Sequence, residues 1–293
     1  YHTMSSVLEA GPCVRTNQLD FDDEVVFAAE RRLYEIVRDR DRRPFFLVVS
    51  MTHPHDPFAI PEAYWSRYRD DEIELPRVRL AADQADPHSR RVRAAIEVDR
   101  TPPSEAQIRA ARRAYYGAIS YVDDQLGRLR RVLAATGLAQ DTIIVLVSDH
   151  GEMLGERGLW YKMTFFEGSA RIPLVVHAPR RFEPRRVKEA VSAVDLLPTF
   201  LDLAGVEPLP TPIEGRSLLP HLEGRGGHDE SIAEYLAEEA LAPIVMIRRG
   251  RHKFIHSPAD PDQLYDLEND PDELVNLAEG DRLPELVAAF RRE

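Results

Sequence analysis

Thr142-Ile143-Ile144-Val145-Leu146-Val147-Ser148-Asp149-His150-Gly151-Glu152-Met153-Leu154-Gly155-Glu156-Arg157-Gly158-Leu159-Trp160-Tyr161-Lys162 is the stretch on which the reading of this chain turns. Its first six residues run apolar without polar alternation, as a strand buried in a sheet does. In open α/β sheets, ligands sit beyond the carboxyl ends of the strands, where Asp149 and His150 emerge. A carboxylate and an imidazole delivered together there can bind a divalent metal. The glycines that follow permit a tight loop returning Lys162 as a fixed cation. The group suits an anionic ester. An isolated Asp-His-Gly would more often be a turn cap beside a solvated lysine, so the weight rests on the full spacing.

Working outward, the residues before this strand predict its helical flank. Ser104 and Gln107 form a capping box, and Ile108, Tyr115, Ile119, Val122, Leu126, Leu129 and Leu133 make one stripe. A second helix is expected over 22–38, with Asp22 or Asp23 as its cap. Phe45-Phe46-Leu47-Val48-Val49-Ser50 reads as another buried strand, covered on both faces. It leads into Thr52-His53-Pro54-His55-Asp56-Pro57-Phe58, where prolines on both sides of His55 stiffen the loop. Residues 59–103, rich in Pro, Asp and Arg, predict a long surface insertion. Beyond Lys162, Ile172–His177 predicts a third strand and Ala193–Ala204 a helix ended by Gly205. Val245–Arg248, His252–His256 and Gln263–Asp266 predict short antiparallel strands. The fold class is α/β: a mostly parallel sheet flanked by helices over 1–225, and a small carboxyl-side antiparallel sheet over 226–293.

Composition narrows the function. The chain has 293 residues, 43% hydrophobic and 30% charged, and a net charge of −12 that repels nucleic acid. No apolar run approaches the ~20 residues that span a bilayer. Neither a nucleic-acid nor a membrane partner is expected, and a homo-oligomer stays open. The single cysteine, Cys13, excludes an intrachain disulfide framework and points to a cytoplasmic location. Tyr1-His2-Thr3-Met4 lacks the character of a signal peptide and reads as an internal beginning.

Asp-His-Gly-x-x-x-Gly-x-x-Gly-x-x-x-Lys over 149–162 resembles the second metal-binding motif of the sulfatases, members of the alkaline phosphatase superfamily. The His-Pro-His loop at 53–55 resembles a second sulfatase loop, and Val194–Gly205 and Leu264–Ala278 resemble further family stretches whose plain reading is packing and turn formation. The resemblance implies an alkaline phosphatase-like fold, with Asp149 and His150 binding the metal. It also implies that Lys162 contacts the sulfate and that His55 faces the ester oxygen, both catalytic and substrate-binding. Ca²⁺ is the expected metal, with Mn²⁺ or Mg²⁺ as alternatives, since an imidazole ligand also suits Mn²⁺.

Sulfatases carry a cysteine followed by x-Pro-Ser-Arg or x-Ala-Ser-Arg that is oxidised to formylglycine. Cys13 precedes Val14-Arg15-Thr16 and departs from that pattern, so it reads as structural. Formylglycine and the early-strand acidic ligands are expected upstream of Tyr1, leaving this fragment inactive alone. Residues 9–22, 52–57 and 158–171 are most similar to choline sulfatases, which implies choline sulfate as substrate. Glu238, Trp160 and Tyr161 are candidates for its quaternary ammonium group, against ordinary packing or solvation for each. A phosphonate or phosphodiester hydrolase of the same superfamily and a non-catalytic binding fragment are the alternatives.

Overall fold

The computed structural model describes residues 3–41, 43–206 and 210–292. In chain order the helices are α1 (Ser5–Leu8), α2 (Asn17–Arg38), α3 (Glu62–Trp65), α4 (Pro87–Ala95), α5 (Glu105–Ala135), α6 (Glu167–Ala170), α7 (Leu196–Ala204), α8 (Leu219–Leu222) and α9 (Pro284–Phe290). The strands are β1 (Gly11–Cys13), β2 (Ala59–Pro61), β3 (Ile144–Val147), β4 (Leu174–His177), β5 (Glu230–Tyr235), β6 (Ile244–Arg249), β7 (His252–Ser257) and β8 (Asp260–Asp266). None of the described helices is long and apolar enough to cross a membrane.

The α5 helix starts as its sequence predicts. Ser104 Oγ accepts from the Gln107 amide, and Gln107 Oε1 accepts from the Ser104 amide. The α2 helix starts earlier than expected, because Thr16 caps it by accepting from the Leu19 amide at 3.1 Å. Neither Asp22 nor Asp23, the two residues expected as the cap, takes that place, and Asp22 lies instead on the buried stripe with Leu19, Val26, Ala29 and Leu33. The stretch 59–103, expected as a surface insertion, holds short helices and strand β2 and is not merely superficial, because Ile60, Val92, Ile96 and Val98 are buried in the main core. Gly205, at φ 65°, ends α7 in the left-handed conformation that costs glycine little.

Strand direction differs from the mostly parallel expectation. The pair β1–β2 is parallel over three residues, while β3–β4 is antiparallel, with Ile144 opposite His177 and Val147 opposite Leu174. The cause lies in the connection. A parallel neighbour needs a crossover that carries the chain back to the starting end. Residues 148–173 contain only a 3₁₀ turn and the four-residue α6, so the chain re-enters from the end it left. The segment 45–50 also departs from expectation. It is extended but joins no ladder, and its residues alternate between half-buried and exposed. Phe45 and Leu47 pack towards Leu33, Val132 and Leu133, whereas Phe46 and Val48 are 73% and 70% exposed. One face is covered rather than two.

The carboxyl-side sheet has the order β5-β6-β7-β8, antiparallel throughout. Its strand β5 was not anticipated, since Glu230-Ser231-Ile232-Ala233-Glu234-Tyr235 carries too few apolar residues to stand out. One face supplies Ile244, Met246, Ile255 and Tyr265 to the core that also holds Val7, Ile60, Leu159, Trp160 and Phe166. The other face is covered by α9, where Phe290 stacks on Phe254 at 5.4 Å between ring centroids. A single core thus contains residues from both sides of position 225.

Candidate active site

Two loops build the site. The first spans 52–57 and hangs on α2 through Gln18 and Asp22, which share a face one turn apart. The Asp22 carboxylate accepts from the amides of Thr52 at 2.6 Å and His53 at 3.0 Å, and from His53 Nδ1 at 2.6 Å. Burial alone would raise the Asp22 carboxyl, but these donors outweigh it and hold the group below its ordinary value. Gln18 Nε2 donates to the Asp56 carbonyl at 2.7 Å, and Ser6 Oγ to the Asp56 carboxylate at 2.9 Å. His53 is buried and serves as the anchor. His55, two residues on, keeps a partly exposed ring whose Nδ1 donates to the Asp56 carbonyl at 2.9 Å.

The second loop leaves β3 at Ser148. Gly151 donates its amide to the Ser169 carbonyl at 2.7 Å, and a Cβ at this position would collide with the Gly168 carbonyl. The glycine is required by close backbone approach. Leu154, Arg157 and Tyr161 all have positive φ, an uncommon concentration of left-handed non-glycine residues that bends the chain tightly. The bend brings Lys162 Nζ to 2.5 Å from His55 Nε2. His150 joins them, its ring edge-on to His55 at 5.8 Å between centroids.

The structure therefore gathers His55, His150 and Lys162, with Asp149 adjacent. With Nδ1–H committed to Asp56, the Nε2 lone pair of neutral His55 accepts from the Lys162 ammonium. The hydrogen bond to the Asp56 carboxylate raises the His55 imidazole above its ordinary value, against the opposing effects of burial and of Lys162. Asp149 is 89% exposed, and its partners are the His150 amide at 3.0 Å and the His150 ring at 3.7 Å. No lysine or arginine neutralises it among the described residues. A half-solvated imidazole beside an un-neutralised carboxylate fits a divalent cation as two donors of a larger set. Among the described residues no cluster of three or more His, Cys, Asp or Glu could hold a metal by itself.

Glu238 lies on the turn after β5, where the Tyr235 hydroxyl donates to its carboxylate at 3.2 Å. Tyr235 packs edge-on against Phe165, three residues beyond Lys162. Trp160 and Tyr161 do not offer ring faces to a ligand. They are 2% and 0% exposed, and Phe58 stacks on Tyr161, so ordinary packing is their role. Burial pushes the Cys13 thiol up, the reverse of nucleophile activation.

Sequence reasoning missed Glu152, whose carboxylate accepts from the amides of Tyr161 at 2.5 Å and Leu154 at 3.3 Å inside the bend. Burial raises it to about 7. Its place within the Asp-His-Gly-Glu run was the one available signal. It missed Asp22 and Gln18 as well, because the groups they hold lie 30 to 38 residues away.

Comparison with known proteins follows the same lines. The sulfatase family model matches residues 12–206, and that of the carboxyl-terminal region of N-sulphoglucosamine sulphohydrolase matches 155–293. The chain is 44% identical over 300 residues to a choline-sulfatase of Rhizobium meliloti (strain 1021), covering 99% of this chain and 58% of that protein. It is 30% identical over 265 residues to an arylsulfatase of Clostridium perfringens, covering 88% of this chain and 54% of the relative. It spans little more than half the length of either. Among solved structures it resembles the phosphonate monoester hydrolase of Silicibacter pomeroyi, with a TM-score of 0.80 at 25% identity over 100% of this chain and 64% of that one. The phosphonate monoester hydrolase of Agrobacterium radiobacter gives 0.77 at 27%, over 92% and 60%.

Proposed function

The chain belongs to the sulfatase family, and from that premise we propose that it forms the carboxyl-side part of a sulfuric ester hydrolase acting on choline sulfate. The observation that supports this reading is the contact of Lys162 with His55 beside the Asp149–His150 pair. A cation and an ionisable imidazole are aimed at one point, as an anionic ester with a poor leaving group requires.

Lys162 binds the sulfate oxygens and neutralises the charge that builds on them. A sulfate group entering the site takes the ammonium from His55 and leaves Nε2 facing the ester oxygen. There the imidazole, held by Asp56 and raised above its ordinary value, takes up a proton at the freed Nε2 and passes it to the departing alcohol. Asp149 and His150 would hold a divalent cation, Ca²⁺ in this reading, which would supply Lewis-acid neutralisation of the sulfate. The attacking hydroxyl would be supplied by a formylglycine; Cys13, the single cysteine of these 293 residues, lacks the required context. Glu238 faces the ammonium group of choline.

Sulfate release followed by ion chromatography tests the proposal. The full gene product, matured by a cysteine-oxidising system, should hydrolyse choline sulfate, and the 293-residue chain should not exceed buffer. Lys162→Ala in the active protein should slow release by about 10² to 10³. Unchanged turnover would remove Lys162 from the site. The resemblance to phosphonate monoester hydrolases supports a second reading. Faster turnover of a phenylphosphonate monoester than of choline sulfate would favour it.

A further inference from the structure

The turn at Asp272–Glu273, in a stretch whose sequence suggests only turn formation, meets the Lys162 loop on both sides. Five residues before Lys162, the Arg157 guanidinium donates to the carbonyls of Asp272 at 3.2 Å and Glu273 at 3.0 Å. Five residues after it, the Glu167 amide donates to the Glu273 carboxylate at 2.9 Å. The same carboxylate accepts from Lys253 Nζ at 2.9 Å, and Lys253 also donates to the Phe165 carbonyl at 2.8 Å and pairs with Glu167 at 2.6 Å. Lys253 and Glu273 are 1% and 3% exposed. A charge pair buried to that degree is a weak source of stability, since desolvation offsets most of the attraction. Its geometry points elsewhere: every partner that the two side chains have outside the pair belongs to the loop carrying Lys162. Glu273 also has φ 56°, a left-handed conformation in which a turn would favour glycine or asparagine.

We propose that the small sheet is a brace for the active-site cation, with Glu273 and Lys253 as positioning residues that hold residues 157–167 and thereby aim Lys162 at His55. The inference rests on the reading of Lys162 as the site's cation, but its test does not require turnover. The sequence contains three lysines, Lys162, Lys188 and Lys253. Lys162 is half-buried, Lys188 is exposed and Lys253 is buried. Acetylation of the 293-residue chain under native conditions, read by mass spectrometry, therefore reports Lys162 against Lys188 as internal control.

Two substitutions separate bracing from turn formation. Glu273→Gly relieves the left-handed backbone and removes the carboxylate, so a residue that only forms the turn would leave Lys162 labelling unchanged. The brace instead predicts that Lys162 is acetylated about tenfold faster relative to Lys188, the change expected when one buried hydrogen-bonded anchor is lost. Glu273→Gln keeps an acceptor for the Glu167 amide and should stay within about twofold of the parent. Hydrogen exchange on the unmodified chain gives an answer even where a variant fails to fold. The amides of Gly151, Glu152 and Glu167 should open with the β7 and β8 amides at one shared denaturant dependence. Unchanged Lys162 labelling in a folded Glu273→Gly variant, or loop amides that open independently of the sheet, would overturn the proposal.

Discussion

The two strand-bearing regions flanking the active-site loop have similar apolar sequences and different fates. In the sheet β5–β8, Ile247, Phe254 and Leu264 lie under α9 on one face, and Ile244, Met246, Ile255 and Tyr265 join the main core on the other. In the region of β3, β4 and residues 45–50, Leu146, Val147 and Val175 are 37%, 37% and 54% exposed, and the extended segment carrying Phe46 and Val48 has no ladder. The contrast teaches that an apolar run states a demand for cover, not that the cover is in place. What supplies it is a neighbouring element, and among the described residues none covers these side chains.

The largest effect expected from this contrast lies in the closed region. Leu264→Ala removes a side chain with 0% exposure and should lower unfolding free energy by about 2–5 kcal/mol. Urea denaturation followed by circular dichroism measures it, and a loss below about 1 kcal/mol would mean that the sheet is not packed as described.

A smaller effect marks where the closed region begins. Glu152 lies on the loop that leaves β3 and is braced by the carboxyl-side sheet, and its carboxyl is raised to about 7 by burial. Because the folded value exceeds the unfolded one, the stabilising contribution is complete below about pH 4.5 and is lost as pH rises through about 7. In the metal-free chain Glu152→Gln, which keeps an acceptor for the Tyr161 amide, should therefore gain about 2 kcal/mol over the parent between pH 4 and pH 8, allowing for partial exposure. A difference between the two proteins that stays constant over that range would place Glu152 in solvent and move the boundary.

The smallest effect belongs to the uncovered face. Val48→Ser should change stability by less than about 0.5 kcal/mol, because 70% of the residue is already in water. The same substitution should reduce binding of a hydrophobic dye, which reports the exposed apolar surface. A stability loss comparable to that of Leu264→Ala would erase the contrast.

Much of this was legible in the sequence where the determining interactions are local. Ser104 and Gln107 are three residues apart, and their capping box forms as read. The glycines of 151–158 bend the chain wherever it lies, so the return of Lys162 towards the end of β3 could be anticipated from spacing. Asp22 shows the limit. An acidic residue near the start of an apolar periodicity reads as a cap, and nothing local reveals that Thr16 takes that role while Asp22 turns inward to hold the amides of Thr52 and His53.

The sequence by itself determined the family, the long helices, and the residues with the chemistry to bind an anionic ester: His55, Asp149, His150 and Lys162. Tertiary structure alone decided that Lys162 meets His55, that β4 runs antiparallel to β3, that Trp160 and Tyr161 are core rather than ligand-facing, and that Glu273 reaches both sides of the Lys162 loop. The physical reason is range. Caps, turns and periodicity act over three to five residues along the chain, whereas desolvation, ion pairing and strand partnership depend on what folding brings alongside, in this protein from 107 residues away for Lys162 and His55.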